Sequence, residues 1–107
     1  MPKYLFKGSY NAEGVKGLAS EGGSARRAAG EELLQGVGGH FDAFYFAFGP
    51  TDVYAIMDVP DHASAAAVAA AVGGSGRFSS VETVVLLTPD EMDEAMRKST
   101  SYRPPGG

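Results

Sequence analysis

Three segments of this chain are apolar at odd and even positions alike, and this limits its fold more than any other property. Successive residues of a strand point to opposite faces, so a sheet covered on one side and wet on the other alternates apolar with polar. Residues 40–48 do not alternate: Phe44, Phe46 and Phe48 would share one face, and Phe41, Ala43, Tyr45 and Ala47 the other. In 53–59, Val53, Ala55, Met57 and Val59 lie opposite Tyr54, Ile56 and Asp58, and in 81–87, Val81, Thr83, Val85 and Leu87 lie opposite Glu82, Val84 and Leu86. Both faces of such a sheet need cover.

The remaining segments show how much cover the chain carries. A strand is expected over 3–10, followed by a short helix capped by Asn11 and running to about Ala19, which Glu21-Gly22-Gly23 breaks. Ser24 is placed to cap a second helix, in which Ala25, Ala29, Leu33 and Val37 recur every four residues. Arg26, Arg27, Glu31 and Gln35 would form its wet face, with Arg27 and Glu31 as an i,i+4 pair. Gly49-Pro50-Thr51-Asp52 is a turn by composition and joins two strands into a hairpin. Asp61 or Ser64 would cap an alanine-rich helix to about Val72, before the last strand. Thr88-Pro89-Asp90-Glu91 then sets a capping box with proline in the first turn, and Leu87 and Met92 fall at hydrophobic-staple positions.

The order is βαββαβ with an added C-terminal helix. That is the ferredoxin-like α+β plan, an antiparallel four-stranded sheet with two helices on one face. With 107 residues the chain is one domain, expected over 1–100, with 101–107 (SYRPPGG) as an extended tail. Its helices suffice for one face. The other is expected to meet another subunit, making a homodimer or higher homo-oligomer, because an exposed apolar patch of that size invites aggregation.

These segments together resemble the GYD domain family of small bacterial proteins. The resemblance rests on KYLFKGSY, EGGSARR, FDAFYFAFG, DVYAIMDVPD, LLTPDEMDEAMRKS and YRPPG, and it spans nearly the whole chain. Gly49-Pro50-Thr51-Asp52 keeps the glycine and aspartate of the family's naming motif, with Thr51 where its tyrosine would stand. The family is similar to dimeric α+β barrels, so the resemblance implies two ferredoxin-like sheets facing each other. It implies no reaction.

Composition narrows the function classes. Nine basic against 13 acidic residues give a net charge of −4, with no basic cluster, so neither nucleic acid nor an anionic membrane is an expected partner. The chain has no cysteine, which excludes disulfides, thiolate nucleophiles and cysteine-ligated metals. The N-terminus lacks an apolar stretch of signal-peptide length, and a cytoplasmic location is expected. His40 and His62 stand 22 positions apart without HxH or HxxxH spacing, so no metal and no cofactor are expected. The glycine-rich stretches follow helices rather than strands and match no phosphate-binding pattern.

The candidate ligand-binding residues are Lys7, Ser9, His40, Tyr45, Asp52 and Tyr54. Lys7 and Ser9 interrupt a strand beside Leu5, where a lysine either snorkels to the rim or points into a polar cavity. Tyr4, Tyr10, Tyr45 and Tyr54 can orient a ligand with their hydroxyls, although core packing is the ordinary use of a strand tyrosine. Asp52 is either a general base at the mouth of a barrel or a turn residue bonded to backbone. The expected function is binding of a small, largely apolar molecule in a sheet cavity of a homodimer. The alternative is a cofactor-independent oxygenase or isomerase acting on an aromatic or polyketide-like compound, with Asp52 or His40 as base.

Overall fold

The computed structural model describes residues 1–107. Strands β1 (Lys3–Tyr10), β2 (His40–Phe46), β3 (Val53–Asp58) and β4 (Phe78–Leu86) form one antiparallel sheet in the order β2-β3-β1-β4. Helices α1 (Ala12–Glu21), α2 (Gly23–Gln35) and α3 (His62–Gly73) fill the connections, and α4 (Pro89–Arg97) follows β4. The fold is ferredoxin-like α+β, with the first crossover helix broken in two at Gly22.

Local signals set most of these ends. The Asn11 side chain accepts the Gly14 N–H at 2.9 Å to start α1, and Asp61 accepts the Ser64 N–H at 2.8 Å to start α3. Ser24 does not cap α2: Gly22, at φ +91°, is its N-cap, and no side chain bonds there. A left-handed glycine lets α1 and α2 follow each other with no intervening loop. The first helix therefore runs two residues past Ala19, to Glu21.

Tyr4, Phe6, Val53, Ala55 and Met57 from β1 and β3 meet Leu34 of α2 and Ala65 and Val68 of α3 in a single core on one side of the sheet. The β3 and β4 faces are those their alternation implies. β2 differs. A bulge at Asp42, between Phe41 and Ala43, puts Phe41 opposite Met57 and so on the helix side with Phe44 and Phe46. The three rings stack edge-to-face, with centroids 5.1 and 5.2 Å apart. Arg27 lies over the Phe41 ring and Glu31 accepts the Phe41 N–H at 3.1 Å, so these two residues serve the bulge and do not pair with each other. The strand ends at Phe46, and Phe48 is fully exposed in the connection.

The capping box of α4 is formed: the Glu91 N–H donates to Thr88 Oγ1 at 3.1 Å, and the Thr88 N–H donates to Glu91 Oε1 at 2.9 Å. Every residue of the helix is exposed, Met96 by 73%. A nine-residue helix with no burial depends heavily on its cap. Thr88→Ala is expected to cost α4 about 1 kcal/mol. Faster amide exchange at Met92–Met96 with an unaltered core is the expected reading; unchanged exchange would mean the box contributes nothing. Residues 98–107 continue exposed and largely extended, closing in a turn where the Gly107 N–H donates to the Pro104 carbonyl at 3.0 Å.

Candidate functional site

No helix covers the second face of the sheet. Its residues form bands across all four strands, because antiparallel register aligns side chains of one parity. The middle band is apolar: Ala43, Ile56, Leu5 and Val84 lie side by side. Toward one end runs Tyr45, Tyr54, Lys7 and Glu82, and toward the other His40, Asp58, Lys3 and Leu86. An apolar strip between two polar ones therefore crosses the face.

Five of the six candidate residues share this face. Tyr45 and Tyr54 are cross-strand partners, Tyr45 being 71% exposed. Lys7 Nζ stands 3.7 Å from Glu82 Oε2, so it is loosely paired at the surface. Ser9 donates its hydroxyl to the Pro50 carbonyl at 2.6 Å. His40 begins β2 beside Asp58. Asp52 alone is turned elsewhere. Its carboxylate accepts the Tyr10 N–H at 2.8 Å and its own N–H donates to the Gly8 carbonyl at 2.9 Å. With the Ser9 bond, these contacts strap the 47–52 connection to the end of β1. The aspartate of the turn thus holds backbone, through a partner distant in sequence rather than a local one.

The remaining strand tyrosines lie on the helix side. Tyr4 is buried and its hydroxyl is 2.6 Å from His62 Nδ1, which occupies the second histidine in a structural contact. Tyr10 stacks on Phe78 at 4.7 Å.

A polar cluster that spacing alone did not reveal stands at the His40 end. Lys3 Nζ donates to Asp58 Oδ1 at 2.8 Å and also to Asp42 Oδ2, while His40 Nε2 lies 3.1 Å from Asp58 Oδ2 and 3.5 Å from Asp42 Oδ1. Side-chain atoms of His40, Asp42 and Asp58 come within 4.8 Å of one another, a grouping able to hold a cation. The Lys3 ammonium already supplies one, bonded to both carboxylates. The signal for this cluster is the hairpin register, which sets His40 against Asp58, together with the bulge that brings Asp42 alongside.

The same contacts shift ionisation. The Lys3 bond, then the Asp58 contact, hold the Asp42 carboxyl below its usual 3.8, and the two aspartates hold Lys3 above its usual 10.5. The Ser64 hydrogen bonds likewise lower Asp61, and burial raises Tyr10. A lowered carboxyl stabilises the fold above its unfolded value and ceases to do so as pH falls through the folded one; a raised lysine or tyrosine stabilises below its unfolded value and ceases to as pH rises. Urea midpoints are therefore expected to fall below pH 3.8 and above pH 10.5. Lys3→Met should shallow both limbs, leaving the Asp61 and Tyr10 contributions. Identical pH profiles for the two proteins would show that the cluster does not couple to folding.

No helix is long and apolar enough to cross a membrane. No curated protein and no solved structure matches the chain. The sequence pattern of the GYD domain matches residues 4–96, nearly the whole ferredoxin-like unit just described, and the chain belongs to the GYD domain family.

Proposed function

We propose that this chain works as a homodimer whose two helix-free sheet faces meet and hold a small, largely apolar molecule between them. The apolar band of Ala43, Ile56, Leu5 and Val84 across all four strands carries this reading. A twofold axis makes such a patch its own complement, since each band meets its copy. The polar rows on either side then border the space between the sheets, where the Tyr45 and Tyr54 hydroxyls and the Lys7 ammonium orient a guest by hydrogen bonds while the band supplies its apolar surface. Light scattering at low micromolar concentration is expected to give twice the chain mass of 11.1 kDa. Native mass spectrometry should show a small organic molecule that leaves on denaturation. A well-folded monomer would overturn the dimer and the shared cavity with it.

The His40 cluster favours a second reading, catalysis without a cofactor. Asp58 Oδ2 stands 3.1 Å from Nε2 of the ring at the border of the face, a carboxylate beside an imidazole as general-base catalysis uses the pair. Asp52, engaged by the Tyr10 amide, does not offer this. The reaction class is oxygenation or isomerisation of an aromatic or polyketide-like compound, begun by proton abstraction. Turnover of such a compound that His40→Ala abolishes, with the dimer intact, would support it; equal turnover by the variant would overturn it.

A further inference from the structure

On the other side of the sheet, α2 lies over β2 and α3 over β4, and a gap opens between the two helices above the core residues of β1 and β3. The gap is a cavity of about 200 Å³. Small residues produce it: α2 presents Ala29 and Gly30 and α3 presents Ala71, where larger side chains would close the space. Gly30 is held small by its neighbour, since a Cβ there would stand 2.9 Å from the Phe41 ring. Phe6, Phe41, Phe44 and Phe78 supply much of the lining, and 13 of the 16 residues around the cavity are hydrophobic. Only one is charged, Arg26.

Native interiors seldom keep voids larger than a water molecule, because lining atoms without partners lose their dispersion contacts. An apolar space open at one side favours apolar guests, and for scale an enclosed apolar cavity of about 150 Å³ admits a benzene-sized molecule. The space here therefore suits one ring with a short side chain, or a short acyl chain. The polar groups decide the rest. Ser75 is engaged, donating to the Val72 carbonyl at 2.7 Å and accepting the Arg77 N–H at 3.3 Å. Arg26 donates only one long, exposed hydrogen bond, to Glu21 Oε2 at 3.4 Å, which a bound carboxylate can replace. Its guanidinium also stands close enough to the Tyr10 phenol to oppose the upward shift that burial imposes there. A planar guanidinium at the edge of an aromatic cavity recognises a carboxylate through paired hydrogen bonds.

We propose that this cavity is a ligand site within each protomer for a small aryl or short acyl carboxylate, its apolar body among Phe6, Phe41, Phe44 and Phe78 and its carboxylate on Arg26. It lies on the opposite side of the sheet from the dimer face and needs no partner chain, so it stands or falls independently of that reading.

Hydrocinnamate and the uncharged hydrocinnamyl alcohol, titrated into the full chain and followed by amide nitrogen–proton correlation NMR, make the test. Hydrocinnamate is expected to give saturable shifts at Ala29, Gly30, Val72 and Ser75. Arg26→Gln should weaken the acid about tenfold and leave the alcohol unchanged, the loss expected for one charge-assisted pair. Ala71→Phe should remove binding of both by filling the space. If that variant does not fold, the acid-against-alcohol contrast at Arg26 still decides, because its side chain is partly exposed. Absence of saturable shifts, or shifts confined to Leu5, Tyr54 and Ile56 on the other face, would overturn the proposal. So would equal affinity for acid and alcohol, or shifts at the cavity amides on dilution without any acid, which would mean a second copy fills it.

Discussion

Ile56→Lys is expected to yield a folded monomer. Ile56 lies in the centre of the apolar band, between Ala43 and Leu5, and is only half-buried in a single protomer. The isolated fold can therefore tolerate a long side chain there by letting it snorkel into water. Two facing sheets cannot. A twofold axis brings both copies of the lysine into the interface, removing two large apolar contacts worth about 1.5–3 kcal/mol each and placing two like charges in a desolvated space. Dimer affinity should fall by about a thousandfold or more. Light scattering would then read 11.1 kDa, with far-ultraviolet dichroism unchanged. Val84→Lys tests the same band from the edge strand, and Val15→Lys, on exposed α1, should leave the dimer intact. Association that survives both band variants would place the interface elsewhere, with the exposed methionines of α4 the first surface to examine.

Two glycines of α1, three residues apart, are expected to respond to alanine in opposite directions. Alanine inside a helix is ordinarily favoured over glycine by about 1 kcal/mol. At Gly17 nothing lies within 4 Å of the added methyl, so Gly17→Ala should show that gain. At Gly14 the new Cβ would press on the Arg77 carbonyl oxygen and stand 2.6 Å from Tyr10 Cδ1. The carbonyl cannot easily retreat, because it accepts the Asn11 N–H at 3.0 Å, and the Asn11 side chain holds the neighbouring Gly76 carbonyl at 2.8 Å. Gly14→Ala is expected to destabilise by about 1–3 kcal/mol, nearer the upper value because the clash is with backbone. For a domain of this size, melting temperatures should diverge by about 10 °C or more, the two proteins being compared at equal concentration. Stabilisation by Gly14→Ala would mean that α1 does not pack at the end of β1 as described.

Where local rules act alone, the sequence is a reliable guide. Asn11, Asp61 and Thr88 cap the helices they precede, because a side-chain oxygen three residues ahead of a free N–H needs nothing from the rest of the fold. Alternation in β3 and β4 places each residue on the face observed, since strand period is a local property. Ser24 shows where this stops. Its residue type suits a cap, but Gly22 alone reaches the positive φ that joins two helices end to end, and the helix starts there.

The candidate site divides the same way. That Lys7, Ser9, Tyr45 and Tyr54 share a face follows from strand parity and hairpin register, both legible in the sequence. The bulge at Asp42 is not legible, and it decides much. It turns Phe41 to the core, brings Asp42 to the Lys3 ammonium and engages Glu31 and Arg27 around one backbone N–H and one ring. A bulge is chosen by the competition between two strand registers, and the outcome depends on what α2 presses against the sheet.

The order of elements, the helix caps, the family resemblance and the apolar character of both sheet faces are legible in the chain alone, because propensity, periodicity and turn chemistry act over a few residues. Packing of the whole fold set Asp52 on the end of β1, gathered His40, Asp58 and Lys3 into one cluster, and left a pocket between α2 and α3 beside Arg26. Those outcomes join residues 18 to 55 positions apart, or depend on the spacing between helices. They are set by the pairing and packing of whole elements, to which no local pattern responds.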